Sequence, residues 1–179
     1  MHRRWVAFVG TLGLGLASFG WSQGPPGQQK NRHGMMMDSD HARDMELFHY
    51  LLDNRKKIRR TVTELADGVE TLTESDEPEV AAKIREHVAA MYRRIEEDRP
   101  IHRRDPLFAE IFDHADAIDM VMEKTDHGLH VVETSTDPYV VELIKSHAQV
   151  VSKFLENGRM EMHENHPLPK SPKSGTNEK

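Results

Sequence analysis

Along residues 41–166, apolar and polar positions follow a helical rhythm, then an extended one, then a helical one again, and the whole series occurs twice. In the first pass Leu47, Phe48, Leu51 and Leu52 recur at three- and four-residue spacing. This predicts a helix from about His41 to Asn54, capped by Asp38-Ser39-Asp40. The period then falls to two, with Ile58, Arg60, Val62 and Glu64 on one side of a strand. Asp67-Gly68 signals a two-residue hairpin with the glycine at positive φ, and Val69 to Thr73 form the return strand. Ser75-Asp76-Glu77-Pro78-Glu79 opens a second helix, with Asp76 accepting the first free amides, Glu79 completing a capping box and Pro78 in the first turn. Val80, Ala81, Ile84, Val88, Met91 and Ile95 form its apolar stripe, which runs out near Asp98.

The second pass repeats this order. Asp105-Pro106 starts a helix through Leu107, Phe108, Ile111 and Phe112, and Ile118, Met120 and Met122 alternate along a strand. His127-Gly128 turns the chain, Leu129 to Glu133 return, and Asp137-Pro138 opens a last helix stopped by Asn157-Gly158. Residues 47–99 and 107–159 align without a gap at an offset of 60, with 12 of 53 pairs identical against roughly 3 expected from composition. The fold class that follows is α+β, a tandem duplication of an α-β-β-α unit. One unit of this size is marginal alone. Two side by side give a four-stranded antiparallel sheet backed by helices around a pseudo-two-fold axis.

The ends of the chain read differently. Residues 1–22 have a short basic start (His2-Arg3-Arg4), an apolar stretch from Trp5 to Trp21 and small residues ahead of a cut, which is the pattern of a cleaved signal peptide. Four glycines and the following Gly24-Pro25-Pro26-Gly27 argue against a retained membrane span. Residues 23–40 read as a flexible linker, 41–166 as a single duplicated domain and 167–179 as a disordered tail. The expected location is therefore periplasmic or secreted. Loss of Arg3 and Arg4 with the leader takes the formal charge from −6 to −8, which excludes nucleic acid as an ordinary partner and leaves an exported protein or redox component. Zero cysteines exclude disulfides, Cys-attached haem and thiolate metal sites.

The segments GVETLTESDEPEVAAKIREHVAAM, DPLFAEIFDHADAI and VVETSTDPYVVELIKSHAQVV resemble an uncharacterised family of exported bacterial proteins with a duplicated unit. The likeness covers roughly residues 41–166. It implies export and the tandem unit, and carries no activity, ligand or catalytic residue.

Among the retained pairs, glycine, proline and apolar positions explain themselves as backbone and core requirements. His87 and His147 do not. Helical spacing puts each on or beside the buried stripe at equivalent positions, where two opposed imidazoles would suit a metal or an axial haem pair. A core histidine bonded within its own unit, or a pH sensor, are the other readings. A second set lies at the domain ends: His33 and Met35 to Met37 precede His41, Met45 and His49, and Met160, Met162, His163 and His166 follow the last helix. Thioether with imidazole and no thiolate is a ligand set for copper in an oxidising compartment. His102, His114, His127 and His130 have no histidine counterparts in the first unit and read as surface residues or as a site special to the second. No Gly-x-Ser-x-Gly, phosphate loop or His-Glu-x-x-His motif is present, and Ser75 and Ser135 are explained by helix starts. The expectation is a non-enzymatic exported protein binding copper or haem through histidines. The alternative is a periplasmic interaction module whose histidines are structural.

Overall fold

The computed structural model describes residues 29–170, with side chains from residue 40 onward; the expected leader and all but the start of the expected tail lie outside them. Helix α1 (Gln29–Asp53) leads into strands β1 (Arg59–Glu64) and β2 (Gly68–Glu74) and helix α2 (Pro78–Glu96). The series then recurs as α3 (Pro106–Asp113), β3 (Asp119–Lys124), β4 (Gly128–Thr134) and α4 (Pro138–Asn157), followed by a 3-10 segment, Gly158–His163. The protein is α+β, with one antiparallel sheet in the order β1-β2-β4-β3. Among the described residues no helix is long and apolar enough to cross a membrane.

The register fixes how the two units meet. Gly68 pairs with Thr134 as Glu74 does with Gly128, and Thr71 faces Val131, 60 residues on, at the centre of the β2–β4 ladder. A pseudo-two-fold axis passes through that pair. Burial repeats accordingly, with the same inward and outward alternation in β1 and β3 and in β2 and β4. The inward face is covered crosswise: α4 packs on β2 and α2 on β4. One core cluster joins Val69 to Val140, Ile144 and Phe154, and the other joins Leu129 and Val131 to Val80 and Ile84. Each unit thus supplies the roof for the other's inner strand.

Three local expectations change. The chain turns at Ala66-Asp67 and Asp126-His127, one residue early, with Leu65 N–H donating to Gly68 (2.9 Å) and Thr125 N–H to Gly128 (3.1 Å). Gly68 and Gly128 do not lie at positive φ; among described glycines only Gly158 does, at +66°. They are required by close approach, because a Cβ on either would fall on the opposing backbone carbonyl, of Glu133 or Thr73. Asp76 does not cap α2. Ser75 Oγ accepts from Glu77 N–H (3.2 Å), and Asp76 pairs with Arg59 instead. Finally, α1 begins at Gln29, inside the stretch read as a linker. The cap expected at Asp38-Ser39-Asp40 therefore lies inside the helix.

Candidate functional site

The two retained histidines keep the same company. His87 stacks on Phe48 (centroids 5.6 Å apart, 15° between planes) and His147 meets Phe108 edge to face (5.4 Å, 88°). Phe48 and Phe108 are themselves a retained pair, so each unit carries its own phenyl–imidazole contact. Phe154 of α4 joins them, 5.3 Å from Phe48 and 6.2 Å from Phe108. The imidazoles are linked through this run of three phenyl rings, and among the described residues no ring contact joins them directly. A shared site for a metal or flat cofactor would have to displace that run. Burial lowers both histidines to a pKa of about 4, opposed by Asp44 at His87 and reinforced by Arg60 at His147. Both rings are therefore neutral at ordinary pH. His87 Nδ1 is buried without a hydrogen-bond partner, a lone pair or proton the fold leaves unused.

The two methionine–histidine sets fare differently. On α1, His41 is exposed and Met45 and His49 are half-buried, at successive four-residue steps of one helix. His33 and Met35 to Met37 also fall within the backbone of α1. The second set is dispersed. Met160 lies in solvent at 76% exposure, His163 is exposed, Met162 packs against the core, and His166 is buried. Both His166 nitrogens are engaged, Nδ1 with Asp105 Oδ2 at 2.5 Å and Nε2 with Glu161 Oε1 at 2.9 Å. That leaves no ring lone pair for a metal in this arrangement. Burial alone pulls His166 down, but the hydrogen bonds with Glu161 and Asp105 carry it above the ordinary histidine value. Asp105 has three tasks: its Oδ1 caps α3 at Leu107 N–H (2.9 Å), while Oδ2 takes His166 Nδ1 and backbone N–H.

The remaining histidines are mostly accounted for locally. His130 Nε2 lies 2.7 Å from Glu70 on the helix-free face, and His114 Nε2 lies 3.3 Å from Glu110. His127 gives its carbonyl to Ser75 N–H, and the His102 ring packs edge-on to Phe108. Among the described residues, no three His, Asp or Glu side chains are arranged to hold a metal.

Two charged features escape a reading of the sequence. Asp44 and Arg94 form a buried ion pair between α1 and α2 at 2.5 Å, fifty residues apart. Arg60 and Glu133 both point from the sheet toward the helices. Arg60 Nη1 donates to Thr73 Oγ1 (2.7 Å) while its Nε has no partner, and burial raises Glu133 to a pKa of about 7 against the opposing pull of Arg60. The only signal was a charged residue at an inward position of each alternating strand. Comparison with protein-family models, curated proteins and solved structures finds no match to this chain.

Proposed function

We propose that this is an exported, non-enzymatic protein that binds copper through histidine and methionine side chains of its first helix. The observation that carries the reading is the unbroken course of α1, which sets His41, Met45 and His49 one turn apart with the first at the surface. Side chains four apart on a helix are neighbours, so each adjacent imidazole–thioether pair can bind a single soft ion. The terminal set contributes little to this reading, since Met162 and His166 serve the core. The test is protein exported by its host and purified without added metal. Elemental analysis should return copper at a fixed stoichiometry that survives competition with bicinchoninate, and His41→Ala with His49→Ala should lower it. Metal-free protein with no Cu(I) affinity above that chelator sinks the proposal.

A second reading has its own support. The helix-free face of the sheet carries Leu72 and Val132 beside Val121, which is 60% exposed, and a face of this kind suits a protein partner. Charge substitution at Val121 would then abolish partner binding and leave copper content unchanged.

A further inference from the structure

Helices α1 and α2 of the first unit run antiparallel, as their cross-contacts require: Asp40 with Arg99 just past α2, Asp44 with Arg94 and Phe48 with His87. Between the last two contacts lie Met45 on α1 and Met91 on α2, both half-buried. Met91 is one turn beyond His87 on the same helix, hence on the same side of it. His87 is the histidine whose Nδ1 is buried and unpartnered.

We propose that a Cu(I) ion is held at this α1–α2 interface by His87 Nδ1 and the thioethers of Met45 and Met91. This rests on the copper reading above and goes beyond it by moving the tight site inside the fold.

Three further observations favour it. One imidazole and two thioethers form a neutral, soft donor set, which prefers Cu(I) to Zn(II) or Cu(II). Asp44, close enough to His87 to act on its charge, keeps a carboxylate beside the site, shared there with Arg94 of the buried ion pair. A way in also exists. His41, one turn before Met45, lines a solvent-open depression with Arg94, Asp98, Arg99, Pro100 and Ile101. An ion captured at the exposed His41 can pass to Met45 and then inward.

The second unit supplies an internal control. It keeps the histidine as His147 but has Asp105 where the first has Met45, and Val151 where the first has Met91. The proposal therefore assigns the ion to one unit only, at one equivalent per chain for this site.

The experiment is titration of the full chain with Cu(I) against bicinchoninate, with Met91→Leu, His87→Gln and His147→Gln compared. Melting curves of the metal-free variants establish that each folds. Met91→Leu preserves apolar volume, and should weaken binding at least tenfold, as should His87→Gln; His147→Gln should leave it unchanged. Independently, Ag(I) added to protein labelled at methionine methyls should shift the Met45 and Met91 resonances before the others. Copper bound as in the parent by both Met91→Leu and His87→Gln, with the Met91 methyl unmoved by Ag(I), overturns this site while sparing the α1 proposal. A parent chain with no Cu(I) affinity above bicinchoninate overturns both.

Discussion

His166 illustrates how much a single side chain can organise. Its imidazole lies between two carboxylates, 4% exposed, and ties the segment after α4 to the start of α3. Because its folded pKa is raised, its contribution is fully present below the ordinary histidine value and is lost as pH climbs through the raised one. Replacing it strands Asp105 and Glu161, so His166→Gln should cost about 3 kcal/mol or more near pH 6 and less near pH 9. Thermal melts across that range measure it; an equal loss at both ends would mean the ring is not charged. Glu133 has the same sign from a different cause. Burial raises its pKa to about 7, so the folded state disfavours its charge and stability falls as pH rises from the ordinary carboxylate value through 7. Glu133→Gln should raise the melting temperature at pH 8 and change it little at pH 5. His87 and His147, lowered to about 4 by burial, impose an acid limb in which stability falls as pH drops from about 6.5 toward 4. Substituting both with Leu should flatten that limb in the same melts.

At the scale of elements, the glycines that begin β2 and β4 let two backbones approach where any Cβ would collide. Gly68→Ala and Gly128→Ala should each cost about 1–3 kcal/mol in chemical denaturation. Asn tests the cause. A residue tolerant of positive φ would rescue a turn, but at a close approach Gly68→Asn should be no better than Gly68→Ala. The elements themselves were legible in the sequence because period, Pro78, Pro138 and Gly158 are local signals. What was misread shared a different origin. The reason for Gly68 lies on Glu133, sixty-five residues away, and Asp76 was drawn off its cap by Arg59 across the strand. The candidate site divides the same way. Spacing alone aligned His41, Met45 and His49, whereas the Phe48 stack on His87 and the His166–Asp105 bond depend on contacts that no window of sequence contains.

At the scale of the whole molecule, the units are interlocked, since α2 and α4 each roof the other's inner strand. Either unit alone would expose that strand. Residues 29–100 and 101–170 made as separate chains should therefore be poorly folded alone and should recover secondary structure on mixing, a change readable by circular dichroism and sedimentation. The inward charges add a preference. Two copies of the first unit would bury Arg60 twice and two of the second Glu133 twice, whereas the mixed pair buries one of each. Heterodimers should thus outnumber homodimers in the mixture, and a random distribution by native mass spectrometry would remove that preference.

The short passage from Glu96 to Pro106 joins the two complementary halves. A connection of that length holds each half in the presence of the other at an effective concentration on the order of millimolar, however dilute the protein becomes. Association that would otherwise be second order is made first order, and the melting temperature should not depend on protein concentration. Folding then requires no encounter with a second molecule at any dilution.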